Sequence, residues 1–102
     1  MKAYVDLAHE YGAITVVDAV HYAAHKPIDV KAIGTDILVC SAYKFFGPHV
    51  GVMYVRKDLG ESIKSVRVYA EDNADMPTKM ETGTLSVANI CGCLLYTSDA
   101  AD

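Results

Sequence analysis

Apolar and polar positions along the chain follow two rhythms, one helical and one extended. In residues 2–11, KAYVDLAHEY, Val5 and Ala8 recur at helical spacing with Tyr4 and Tyr11 beside them, and Gly12 closes the segment. Residues 13–19, AITVVDA, are β-branched and nearly continuously apolar, as expected of a strand covered on both faces. A polar loop with Pro27 leads to a short helix over residues 29–33, where Asp29 can cap and Gly34 can terminate. The second strand is DILVCS, residues 36–41. After the turn AYKFFGPHV comes a third, GVMYVR, at 51–56. The pattern then predicts a short helix near residues 59–66 and an exposed loop over 69–80. A last helix is opened by ETGTLSVANI, with Thr84 or Ser86 as its cap.

Alternating helices and strands predict an α/β fold with a mostly parallel sheet. The link between the second and third strands is too short for a crossover helix, so the third strand is expected to run antiparallel. Ligands of such sheets lie beyond the carboxyl ends of the strands, which places Asp18 and residues 41–44 on one rim. The 102 residues suffice for one small domain, without repeats or low-complexity tracts. A formal charge of −4 and the lack of a basic cluster argue against nucleic acid or an anionic membrane as partner. No apolar run approaches the ~20 residues of a membrane span, so a cytoplasmic protein is expected. Cys40, Cys91 and Cys93 lack paired Cys-x-x-Cys spacing and read as thiols.

The stretch CSAYKFFGPH, residues 40–49, sets Lys44 just past an apolar strand among small and aromatic neighbours. One reading pairs Lys44 with Asp18 as an ion pair in a non-catalytic α/β binding module. The other is a pyridoxal phosphate site, in which the lysine holds the aldehyde as a Schiff base and the aspartate faces the pyridinium nitrogen. A carboxylate keeps that nitrogen protonated, and a partly buried amine beside a cationic ring is a better nucleophile. His21 and His25 could chelate a metal across one helical turn, but no Glu lies between them and no third ligand is evident, so no metal site is expected. His49 reads as shaping the turn with Gly47 and Pro48. Phe45 and Phe46 read as packing residues, and Cys40 as a small core residue. Tyr22 lines the pocket or packs, and Glu81 is structural.

The segment VVDAVHYAAHKPIDVKAIGTDILVCSAYKFFGPHVGVMYVR resembles the cofactor core of class V aminotransferases, most closely the cysteine desulfurase-like branch, and the likeness spans residues 3–92. The resemblance implies part of the large pyridoxal-phosphate-binding domain of fold type I transferases. It implies Lys44 as the Schiff-base lysine and Asp18 as partner of the ring nitrogen. His21 stands where the family commonly has a Gln that bonds the phenolic oxygen, and its imidazole N–H can serve the same end. Ser41 matches the phosphate-binding serine. Tyr43 replaces the usual His before the lysine, with a hydroxyl able to reach phosphate. Thr84 in ETGT matches a threonine that reaches the cofactor phosphate of the partner subunit, implying a homodimer with shared sites.

The implied substrate is an amino acid, first of all cysteine, which would lose its sulfur. Transamination and lyase chemistry of other specificity share every residue visible here. The sulfur-accepting cysteine and the arginine that grips the substrate carboxylate are expected outside this chain. Residues 93–102, CLLYTSDAAD, resemble the conceptual translation of a transposon-based sequencing-library adapter and are set apart from fold reasoning. Residues 1–92 are therefore expected to be an internal fragment of a longer enzyme, inactive alone.

Overall fold

The computed structural model describes residues 1–64, 75–81 and 83–99. Helix α1 spans Lys2–Glu10, with Val5 turned inward and a Lys2–Asp6 ion pair of 2.7 Å along its outer face. Tyr4 and Tyr11 lie on the solvent side, so only part of the expected apolar face is used. Gly12 ends the helix at φ 70°, in the left-handed region, while Gly12 and Ala13 N–H groups donate back to His9 and Ala8.

Strand β1, Val16–Asp18, is shorter than its sequence pattern and forms one edge of a three-stranded sheet of order β1-β2-β3. Val16 is 64% exposed, and Ile14 ahead of it is exposed too. The expected cover on both faces is therefore not found among the described residues. After β1 a 3-10 turn, Tyr22–Ala24, leads to α2, Val30–Ile33. Asp29 caps α2 by accepting from the Lys31 and Ala32 N–H groups, and Gly34 closes it at φ 79°.

Strand β2, Ile37–Ser41, is the centre of the sheet. It pairs in parallel with β1, Val16 opposite Ile37 and Asp18 opposite Val39. It pairs antiparallel with β3, Gly51–Val55, setting Ser41 opposite Gly51 and Ile37 opposite Val55. Helix α3, Lys57–Ser62, starts earlier than its pattern suggests, and the end expected near residue 66 lies outside the described residues. Of the expected loop over 69–80, residues 69–74 are also outside them, while Thr78–Met80 form a 3-10 turn. Lys79 on this turn is buried, and its Nζ donates to the Glu61 and Ile63 carbonyls at the carboxyl end of α3. Helix α4, Val87–Asp99, begins directly after Ser86, whose carbonyl accepts from Ile90 N–H.

Among the described residues the buried apolar ones are Val5, Ala19, Leu38 and Ala42. A polar clamp supplements them at the amino end of β2. Asp36 is 2% exposed. Its carboxylate accepts from Thr15 N–H (2.7 Å), Thr15 Oγ1 (2.9 Å) and Arg56 (2.5 Å), and it meets His9 Nε2 at 2.9 Å. Burial pushes its pKa up, but the Thr15 and His9 hydrogen bonds and the Arg56 charge outweigh that and hold it at about 2. One carboxylate thus ties α1, the start of β1, and the segment after β3 to the central strand.

Candidate cofactor site at the sheet rim

The carboxyl ends of the two parallel strands form the rim on which Asp18 and Ser41 stand. Residues opposite one another in register share a sheet face, as do residues two apart in a strand. Asp18 is opposite Val39, so its side chain shares a face with Val39 and Ser41, and Ser41 lies about 7 Å farther along β2. Leu38 and Cys40 occupy the other face, where they line an apolar cavity of about 460 Å³ together with Phe45, Val52 and Tyr54. Burial raises the pKa of Cys40, with a smaller push from Cys93, so a thiol on this strand is a poor nucleophile.

Local backbone bonds orient Asp18. Ala19, fully buried, extends the ladder by donating its N–H to Val39 O at 2.8 Å. The Val20 N–H donates to Asp18 Oδ1 at 2.9 Å, which fixes the carboxylate against the turn. His21 opens the next 3-10 turn and is exposed.

Lys44 sits on a second 3-10 turn, Ala42–Phe45, that follows β2 at once and packs on the turn carrying Tyr22. Ala42 is fully buried and bonded to Val50 O through its N–H, while its carbonyl accepts from Gly47 N–H. A Cβ at Gly47 would lie 2.9 Å from Ala42 Cβ, so the return of the chain requires glycine there. Phe46, between them, takes φ 67° and is 88% exposed, where packing had been expected for it.

Lys44 is half-buried, with Nζ 5.3 Å from the centroid of the Tyr43 ring. Tyr43 in turn stacks on His49, centroids 4.9 Å apart and planes 7° from parallel. Among the described residues no ion pair joins Lys44 to Asp18. Thr84 is exposed ahead of α4. Asp18 and Ser41 thus stand at neighbouring strand ends, with the Lys44 amine and Tyr43 hydroxyl on the turn after β2 and the His21 imidazole on the turn after β1. That donor set fits pyridoxal phosphate, whose aldehyde, ring nitrogen, phenolic oxygen and phosphate ask for those groups. Among the described residues no cluster of His, Cys, Asp or Glu could hold a metal ion, and His21 and His25 are not brought into one.

The pattern-based reading of the sequence left two features unseen. The Asp36 clamp joins residues far apart in sequence, and no local signal announces it. The Tyr43–His49 stack spans a tight turn, and a pair of rings flanking Gly47-Pro48 was its only trace.

Comparison with known proteins identifies the family. The family model for aminotransferase class-V matches residues 1–97. The chain is 36% identical over 87 residues to the aminotransferase-like protein FGM3 of Gibberella zeae, covering 84% of this chain and 22% of that protein. It is 34% identical over 104 residues to a cysteine desulfurase of Klebsiella pneumoniae, covering 90% and 26% respectively. The crystal structure of the cysteine desulfurase CsdA (S-sulfonic acid) from Escherichia coli superposes with a TM-score of 0.87 at 28% identity, over 99% of this chain and 28% of that one. The chain spans about a quarter of the length of the curated relatives it matches. Its sheet is part of the fold type I architecture that its structural neighbours share. From the family match over residues 1–97, with which the superposition agrees, this chain belongs to the class V aminotransferase family.

Proposed function

We propose that this chain is the lysine-bearing part of a pyridoxal-phosphate enzyme that removes sulfur from cysteine. The observation that carries the proposal is the rim itself: Asp18 and Ser41 share one sheet face, and Lys44 follows on the next turn with no ion pair among the described residues. This weighs against the simple salt-bridge module. The relatives named cysteine desulfurase and the match to CsdA support the choice of substrate.

Lys44 would hold the cofactor aldehyde, Asp18 would pair with its ring nitrogen, and His21 with its phenolic oxygen. Ser41 and Tyr43 would hold the phosphate, and in a homodimer Thr84 would reach the phosphate of the partner subunit's cofactor. When bound, pyridoxal phosphate supplies the electron sink that makes the α-carbon proton of an amino acid removable. Lys44 would hold the cofactor and, as a free amine, would carry protons at that α-carbon. A carboxylate at Asp18 would favour the protonated ring nitrogen. We assign residues 1–92 to the large domain and 93–102 to an adapter-derived extension, and we expect the chain alone to be inactive. Among the described residues no helix is long and apolar enough to cross a membrane, and a cytoplasmic enzyme fits that.

A second reading is favoured by one relative: the 36% identity to an aminotransferase-like protein fits another class V reaction on the same residues. Product analysis separates the two. A full-length enzyme containing residues 1–92, given cysteine and a thiol reductant, is expected to release alanine and sulfide in equal amounts. A keto acid without sulfide would refute the desulfurase assignment and leave the aminotransferase one.

A further inference from the structure

The Tyr43–His49 stack has no part in the functional reading so far, yet it bears on Lys44. The chain returns on itself between Ala42 and Gly47, and Gly47 lies so close to Ala42 that the loop has little room to shift. This return lays the His49 imidazole flat against one ring, Tyr43, at 4.9 Å. Lys44 Nζ lies over that ring, 5.3 Å from its centroid, within the range of a cation–π contact. The backbone of His49 is held from elsewhere, since its carbonyl accepts from Asn89 Nδ2 of α4 at 3.5 Å, a long contact. A ring fixed by stacking presents a constant face. A lone, half-exposed tyrosine samples several rotamers and presents none.

We propose that His49 is a positioning residue that acts through Tyr43, clamping its ring as the resting platform for the free ammonium group of Lys44. The inference rests on the functional reading above, in which Lys44 alternates between a cofactor-bound and a free state. In the free state an ammonium on a flexible four-carbon stem would otherwise wander into solvent. The ring face holds it at the rim, beside the place to which it must return.

The test uses the full-length enzyme, stripped of cofactor and carrying isotope-labelled lysine. Protons held over an aromatic face are shifted upfield in nuclear magnetic resonance, so the Lys44 ε-methylene signal reports the platform directly. The shift is expected in the wild type, lost in Tyr43→Leu, reduced in His49→Ala and restored in His49→Phe, which keeps the stack without the imidazole. Addition of pyridoxal phosphate is then followed by the visible band of the lysine-linked cofactor. Its appearance in the wild type tests the functional reading on which the platform rests. Equal Lys44 shifts in all four proteins would overturn the positioning role. Failure of the wild type to form the band at all would instead refute the functional reading, whatever the shifts.

Discussion

Phe46 carries a left-handed backbone at φ 67° with its ring 88% exposed, so no burial within this chain offsets the conformational cost. For a non-glycine residue that cost is about 1–2 kcal/mol. Phe46→Gly is therefore expected to be neutral or to raise stability of the full-length enzyme by up to about 1 kcal/mol, less than the full cost because glycine also frees the unfolded chain. Its chemical denaturation midpoint measures this. A clear loss of stability would show that the ring is packed by parts of the enzyme beyond these residues. The neighbouring position behaves oppositely. Gly47→Ala drives a methyl to 2.9 Å from Ala42 Cβ and 3.0 Å from its carbonyl oxygen, and should cost about 1–3 kcal/mol. It should also weaken cofactor retention, because the turn it distorts carries Lys44; an unaltered midpoint and affinity would contradict the tight return.

Among the elements, β2 matters most, because it is held at both ends: by Asp36 before it and by the Ala42 turn after it. The Asp36 carboxyl titrates at about 2 in the folded chain, below the ~3.9 of an unfolded aspartate. A group depressed in this way adds stability above its unfolded pKa and loses it as pH falls through its folded one. The contribution is about 2 kcal/mol, complete above roughly pH 5 and lost progressively between about pH 4 and 2. Denaturation of the full-length enzyme across that window should show the loss, and Asp36→Asn should flatten it while lowering stability at neutral pH. An Asp36→Asn enzyme with the wild-type acid profile would refute the clamp.

Local signals marked much of this. The Asp29 cap and the Gly34 stop of α2 are readable in sequence because each acts within a few residues. The rim was readable because strand period and connection length fix which ends coincide. The clamp was not, since Asp36 looks like an ordinary strand boundary until folding brings His9, Thr15 and Arg56 to it. The tyrosines of α1 misled for a different reason: an amphipathic ring satisfies an apolar pattern and still suits solvent. The extent of β1 was overread because its apolar run implies neighbours on both faces, and the described residues supply them on only part.

At the scale of the whole molecule, the chain exposes Ile14, Val16, Val52 and Met53 along a sheet whose two outer strands pair with no further strand among the described residues. That surface suits a piece of a larger sheet, in keeping with relatives about four times its length. On the proposed reading these residues contribute the attachment point for the cofactor, and attachment can be measured. The full-length enzyme, loaded with pyridoxal phosphate, reduced with borohydride and digested, should yield one phosphopyridoxyl-modified peptide, the one containing Lys44, and Lys44→Ala should yield none. A label on any other lysine, or an unmodified Lys44 peptide from the loaded wild type, would contradict the account.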